Sequence, residues 1–298
     1  MAKRINFMRN LKRTFIIGEE WLYYKIYCGS YSADTILVET ISPVIFELQK
    51  RKLVDYWFFI RYNDPKNHLR LRLHLNKVEE IQEVIQIMTS YLSKLIKEET
   101  AYEINVGTYR REMERYGGNT IIEAEKMFYY HSQKTLKILS ETLLENDEIV
   151  RIFAALKDID DLLDYFKISL LERQDFAKEK CVYFRLEQDI NRHNTKKMAD
   201  LYSKYKSDIF LLLQHKKEPE YLEGLFEILN SSDEEMENIK IICKKIKKNK
   251  KIDSLTLISS IIHMNVNRIF RSKQRQYEML CFDFMNKYYK TLMKTNEK

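Results

Sequence analysis

Residues 54–75 read VDYWFFIRYNDPKNHLRLRLHL, the pattern of two strands joined by a tight loop. Val54–Tyr62 concentrates β-branched and aromatic residues, which suit a pleated, half-buried surface. Asn63-Asp64-Pro65-Lys66-Asn67 is turn chemistry, so a five-residue loop closes a β-hairpin. The second arm, His68–Leu75, alternates strictly, and strand side chains point to opposite faces in turn. Leu69, Leu71, Leu73 and Leu75 therefore share one face, which wants a core. His68, Arg70, Arg72 and His74 share the other, with like neighbours about 7 Å apart. An ordinary solvated face is one outcome of such a pattern. Two guanidiniums flanked by two imidazoles, with no compensating acid, repel one another unless an anion sits among them, so an anion-binding face is preferred. A guanidinium fork suits carboxylate or phosphate.

Outward from the hairpin, Trp21–Cys28 (WLYYKIYC) reads as a further strand, and a helical pattern starts at Ser32, its expected N-cap, with Asp34 in the first turn. Pro43 directly after Ser42 restarts that helix rather than breaking it. A helix is expected over 77–97 and a strand over 101–110. Gly107, Gly117 and Gly118, three of the six glycines, then fall within twelve residues and mark a place where backbone must bend. Beyond residue 119 apolar residues recur at helical spacing over 120–145, 147–174, 177–213, 219–230, 233–248, 253–270 and 273–294. The expected fold is α+β: a small mixed or antiparallel sheet in the N-terminal part (1–118) packed with a helical C-terminal part (119–298). No internal repeat or linker divides the chain, so 1–298 reads as a single domain.

Composition agrees. The 298 residues are 45% hydrophobic and 32% charged, and hold only 6 Gly and 3 Pro. That is too little turn material for a strand-dense sandwich, barrel or propeller, and too much apolar surface for a disordered chain. No apolar run approaches the roughly 18 residues of a membrane span, and the basic start of the chain lacks an export signal's apolar stretch, so a cytoplasmic protein is expected. Cys28, Cys181, Cys243 and Cys281 are scattered without CxxC pairs, which points to reduced thiols rather than disulfides or structural zinc. Net charge is +7, distributed unevenly: residues 1–18 carry five Lys/Arg and no acid, 240–298 carry 15 against four acids, and the middle is net −9. Basic ends suit an anionic partner, but KKIKKNKK (244–251) reads as a solvated loop, and no direct nucleic-acid role is expected.

Two more clusters carry polar chemistry. In Tyr109–Gly118 (YRREMERYGG), Glu112 and Arg115 are three apart, on one face of any helix, and Gly117-Gly118 ends it. In Ser259–Arg271 (SSIIHMNVNRIFR), His263 and Asn267 are four apart, Ser260 and Arg271 extend their stripe, and Ile262, Val266 and Ile269 fill the apolar side. Read alone, the first is a surface ion pair and the second a structural histidine; together they are candidates. No GxxxxGK[ST], GxGxxG, HExxH or GxSxG motif occurs.

Four segments, WLYYKIYCGSYSADTILVETISPVIFEL, DYWFFIRYNDPKNHLRLRLH, TYRREMERYGG and IIHMNVNRIF, resemble in order and spacing the C-terminal domain of lantibiotic dehydratases, also called the thiopeptide-type bacteriocin biosynthesis domain. The resemblance runs over about residues 20–285. It implies an enzyme that eliminates glutamate from glutamylated Ser or Thr of a ribosomally made precursor peptide, leaving dehydroalanine or dehydrobutyrine. A glutamyl-tRNA-dependent subunit first attaches the glutamate. That large glutamylation region is not in this sequence, so the chain resembles a stand-alone elimination subunit. Arg70 and Arg72 match the family's paired arginines, Glu112 and Arg115 its ExxRYGG motif, and His263 its C-terminal histidine; these five are the implied catalytic residues. His68, His74, Asn267 and Arg271 are the candidate substrate-binding residues. No metal or organic cofactor is implied. Expected partners are the precursor peptide and the glutamylation subunit, with a homodimer as a further assembly. Two rival readings are a pyridine-forming [4+2] macrocyclase, whose members tend to lack this arginine and histidine set, and a non-catalytic scaffold that binds the precursor peptide.

Overall fold

The structure is a computed structural model describing residues 11–143, 148–189, 191–214, 217–230, 232–249 and 253–296. Strands β2 (Trp21–Cys28), β3 (Val54–Tyr62), β4 (His68–Leu75) and β5 (Ala101–Val106) form a fully antiparallel sheet in the order β3-β4-β2-β5. The expected strand over 101–110 is two strands. Gly107 separates them where any side chain would meet the Tyr23 ring at 3.2 Å. The second piece, β6 (Tyr109–Arg110), pairs instead with β1 (Thr14–Phe15).

The register places Leu71 between Tyr24 and Phe59, and Arg72 between Tyr23 and Phe58. The leucine face is the core that the alternation demands: Leu69, Leu71, Leu73 and Leu75 are buried against α1 (residues 32–50) and α2 (Ile81–Lys97). Burying each leucine stabilises by about 1.5–3 kcal/mol relative to leaving it exposed. Helix α1 differs from expectation at both marked positions. Tyr31 is its N-cap, and no side chain caps it, so Ser32 is already inside. Around Pro43 the helix neither stops nor restarts. The preceding Ile36–Ile41 turn widens to π winding and ends with Ser42 N–H on the Leu37 carbonyl, and Pro43 enters an unbroken helix.

The second part is helical: α3 (Met113–Tyr116), α4 (Ile121–Thr142), α5 (Glu148–Tyr165), α6 (Leu170–Glu187), α7 (Arg192–Leu213), α8 (Leu225–Leu229), α9 (Asp233–Lys247), α10 (Ser254–Ile269) and α11 (Gln274–Asn296). Two expected helices are shorter than the apolar periodicity suggested. The 147–174 segment stops at Tyr165, with Lys167 at φ +51°, and Ser169 opens α6 through a capping box with Glu172. The 177–213 segment divides before Asn191, whose side chain accepts the Asn194 N–H to start α7. Periodicity continues through both breaks because each new helix keeps an apolar face on the same core. In the KKIKKNKK run, Lys244–Lys247 form the last turn of α9, where cations complement the helix dipole, rather than a loop. Lys250 and Lys251 lie outside the described residues.

The arginine face of the sheet is not open along its length. Tyr109, Tyr116 and Phe128 pack on Trp21, Phe58 and one another, which joins this face to the helical core. The free edge of β3 is closed by side chains: Ser132 accepts the Phe59 N–H at 3.3 Å, and Arg268 Nε donates to the Phe59 carbonyl at 2.8 Å. The Asn267 amide both accepts from Arg61 N–H at 2.9 Å and donates to Arg61 carbonyl at 3.0 Å, as a neighbouring strand would.

Asp34 ties the two parts together. Wholly buried, it receives Arg61 Nη2 at 2.5 Å, Arg151 Nη2 at 2.6 Å and Arg271 Nε, from β3, α5 and the α10–α11 connection. Burial by itself would raise the Asp34 carboxyl, but the charges of Arg61 and Arg151 and the hydrogen bonds from Arg271 and Arg151 outweigh it and hold the group below the usual carboxylate range. A depressed native value stabilises the fold above the unfolded value near pH 4, and that stabilisation is lost as pH falls through the native value. Asp34→Asn, which leaves three guanidiniums without their carboxylate, is expected to lower the unfolding free energy by about 3–5 kcal/mol at pH 7. Urea titrations should show the gap to wild type closing as pH falls below about 4.

Candidate functional site

Arg72 stands at the middle of β4, and its guanidinium is packed among three rings, 4.8 Å from Tyr23, 5.1 Å from Phe58 and 4.9 Å from Tyr109. It is 7% exposed, and its Nε and Nη1 have no protein acceptor among the described residues. Removing such a cation from water costs several kcal/mol. Each ring face returns about 0.5–2 kcal/mol, but a ring face supplies no hydrogen-bond acceptor in the plane of the Nε and Nη1 donors. The group is left with affinity for an anion.

Two other groups share this condition. Arg268 reaches in from α10, wholly buried, with Nε on the Phe59 carbonyl, Nη1 3.3 Å from Asn265 Oδ1, and Nη2 without an acceptor. Burial presses its pKa down to about 9, so it remains charged at neutral pH. Tyr116 ends α3, just before Gly117 at φ +76°, and its buried hydroxyl also lacks a partner. Burial pushes this phenol up to about 12, while Arg115, Arg268 and Arg72 each pull it down. Arg115 lies over the Tyr116 ring, 5.6 Å from its centre, and the Glu112 charge opposes that pull.

Arg70 extends the site toward the hairpin. Its guanidinium stacks on Tyr62, 3.3 Å from the ring centre, and Nε donates to His68 Nε2 at 3.0 Å. His68 Nδ1 donates to the Lys66 carbonyl at 2.8 Å, which assigns the neutral tautomer with Nε2 as acceptor. Burial first, then the charges of Arg70 and Lys25, hold His68 below its ordinary value, so at pH 7 it orients Arg70 as an uncharged acceptor.

His74 departs from the expected face without acids. Asp55 on neighbouring β3 lies 2.6 Å from its Nδ1, and the ring packs on Trp21 at the far end of the strand. Glu112 and Arg115 do pair, at 3.7 Å, but both are substantially exposed, and such a contact is worth under about 1 kcal/mol. Arg115 is therefore only loosely held by Glu112.

The expected polar stripe of Ser260, His263, Asn267 and Arg271 is divided among four tasks, and Arg271 falls just beyond α10. His263 Nδ1 lies 2.8 Å from Glu278 Oε2 in the seam between α10 and α11, where Arg275 also reaches Glu278 at 2.8 Å. Asn267 holds the β3 edge, Arg271 binds Asp34, and Ser260 donates back to the Thr256 carbonyl. His68, Asn267 and Arg271 nonetheless meet around one cavity beside the hairpin. Tyr116, Arg268 and Arg61 have no role in the sequence reading; the first two lie inside the quoted ERYGG and HMNVNR segments, but only a buried polar atom without a partner, the Tyr116 hydroxyl, Arg268 Nη2 and Arg61 Nη1, marks them. The four cysteines are buried and unpaired, and burial raises each thiol. Among the described residues no three His, Cys, Asp or Glu converge, and no helix is long and apolar enough to cross a membrane.

The family described as lantibiotic biosynthesis dehydratase C-term matches residues 21–289. The subtilin biosynthesis protein SpaB of Bacillus subtilis is 25% identical over 270 residues, covering 85% of this chain and 24% of SpaB. The chain thus spans about a quarter of the length of the curated relatives it matches. The fold is similar to that of the tRNA-dependent lantibiotic dehydratase MibB from Microbispora sp. 107891, at TM-score 0.65 and 17% identity, over 90% of this chain and 28% of that one. It is also similar to the pyridine synthase TbtD from thiomuracin biosynthesis, at TM-score 0.61 and 11% identity, over 92% of this chain and 100% of that one.

The unpartnered state of Arg72 has a measurable consequence. Arg72→Met, an apolar side chain among Tyr23, Phe58 and Tyr109, is expected to raise the unfolding free energy by about 1–4 kcal/mol in urea. A fall in stability would mean that the guanidinium is already satisfied.

Proposed function

The chain belongs to the lantibiotic biosynthesis dehydratase C-terminal family, and we propose that within lanthipeptide or thiopeptide biosynthesis it eliminates glutamate from glutamylated Ser or Thr side chains. The observation that carries this reading is the buried cluster of Arg72, Arg268 and Tyr116, none of them bonded directly to a carboxylate, with Arg115 over the Tyr116 ring and Arg70 next along β4. Removal of the Cα proton moves negative charge onto the adjacent amide oxygen, and cleavage of the Cβ–O bond releases a carboxylate. Preformed donors in a water-poor site stabilise both charges without reorganising.

In this reading Arg72 and Arg70 face the developing oxyanion, with Arg70 oriented by neutral His68, and Arg115 leaves Glu112 to hold the departing glutamate. His263, held through Nδ1 by Glu278, leaves Nε2 as the proton-transfer atom. Asn267 and Arg271 support the substrate wall through Arg61 and Asp34, and His74 borders its far end. The chain acts in the cytoplasm on a precursor peptide delivered by a glutamyl-tRNA-dependent partner, and needs no metal or organic cofactor.

Mass spectrometry of a glutamylated precursor peptide incubated with the full chain tests this. Loss of glutamate with gain of dehydrated residues is expected. Arg72→Met and Arg115→Ala should each slow that loss by about a hundredfold or more. His263→Ala should slow it by a similar factor, about 10²–10⁴. A macrocycle with released leader would identify a pyridine synthase, and an unchanged but bound peptide a scaffold; either replaces the elimination reading.

A further inference from the structure

The arginine face of the sheet carries one more cation. Lys25 lies on β2, and the register sets it directly opposite Arg70 on β4 and, on its other side, Asn105 on β5. Like charges directly opposite on neighbouring strands repel. The contacts of both cations are with rings and an imidazole: Lys25 Nζ lies 5.8 Å from the centre of the Tyr23 ring, and Arg70 stacks on Tyr62 with Nε on His68. Among the described residues neither has an ion pair, and Glu103 on the outer strand β5 accepts the Asn105 amide N–H at 2.7 Å. Burial first, then the charges of Arg70 and Lys25, hold His68 low, and Asp64 in the hairpin loop opposes them more weakly. Both cations are half-buried, and unlike Arg72 Nε and Nη1 their terminal nitrogens are not sealed from solvent. Gly107 keeps the approach clear, since a side chain there would meet the Tyr23 ring at 3.2 Å and the Lys25 stem at 3.5 Å.

We infer, resting on the elimination reading, that Lys25 is a specificity residue of the sheet-face site and binds the free carboxylate that a glutamyl ester retains. A glutamyl group carries two carboxyl groups at the ends of a short flexible chain. One is spent in the ester and departs as the new carboxylate; the other is charged throughout. That second carboxylate is what distinguishes a glutamyl from a glutaminyl ester, and it needs a cation apart from those that meet charge developing in the reaction. Lys25 stands on the same face as Tyr23, the cross-strand neighbour of Arg72, and about 7 Å further along β2. Its ammonium is a point charge on a flexible stem, which can follow a carboxylate across the open half of the face. Because the free carboxylate bears the same charge before and during elimination, holding it lowers KM and leaves the chemical step unchanged.

Calorimetry on the full chain tests this with a blocked Ala-Dap-Ala tripeptide, whose diaminopropionate amine is acylated by the α-carboxyl of glutamate or of glutamine. The amide replaces the ester, so binding is read without turnover. The wild-type chain is expected to bind the glutamyl form about tenfold more tightly than the glutaminyl form. Lys25→Met should erase that preference while leaving the glutaminyl affinity within about twofold, and Lys25→Arg, which keeps the charge, should preserve most of it. With the glutamyl ester, Lys25→Met should raise KM for glutamate loss by about tenfold at unchanged kcat. Equal affinity of the wild type for the two amides, binding of neither, a preference that survives Lys25→Met, or a fall in kcat at constant KM would each overturn the proposal. A chain that discriminates the amides but leaves the ester intact would lose the elimination reading and keep the assignment of Lys25.

Discussion

One buried carboxylate holds the architecture together. Asp34 lies on the first helix, and the three arginines it receives come from the sheet, from α5 and from the connection between the last two helices. A lone ion in that position would cost several kcal/mol; three hydrogen-bonded counter-charges make it a fixed point instead. Through Arg61 it sets the end of β3, and through Arg151 and Arg271 it sets the helices that present Asn267 and Arg268 to that strand.

Around this node the interior holds more buried guanidinium than buried carboxylate. Elsewhere the opposite rule applies. Arg111 is matched by Glu125 in a two-point contact at 2.7 Å for each bond, with the Tyr109 hydroxyl on the same carboxylate. Asp158 is matched by Lys134 and His131, and Asp160 by Arg173 and Tyr289. Arg72 and Arg268, on β4 and against the β3 edge, each keep guanidinium nitrogens without an acceptor among the described residues. The contrast within one molecule sets these guanidiniums apart from the paired ones.

The aromatic residues that made the strands legible have a second task. Tyr23, Phe58 and Tyr109 sequester Arg72 from water, and Tyr62 flattens Arg70 against the sheet. A low-dielectric surround strengthens the field of the Arg72 cation, so one set of rings both builds the core and encloses a charge.

The local features were readable in the chain itself, because their causes are local. Strict alternation in His68–Leu75 assigns faces whatever packs on them, turn residues at 63–67 close the hairpin, and 3.6-residue periodicity marks the helices. The resemblance of four segments carried the family, and with it the residues to inspect. Helix ends at Tyr165 and Glu187 were missed because apolar periodicity outweighed capping signals at Ser169 and Asn191. Only the tertiary structure decided which polar residues remain unpaired. Asn267 and Arg271 look like site residues in the sequence but are engaged by Arg61 and Asp34, whereas Tyr116 and Arg268 look ordinary, yet the Tyr116 hydroxyl and Arg268 Nη2 are buried without an acceptor or donor among the described residues. Partners more than 200 positions apart, such as Asp34 and Arg271 or Phe59 and Arg268, leave no periodic trace. Whether a charge is satisfied is a property of the folded neighbourhood, not of the charge.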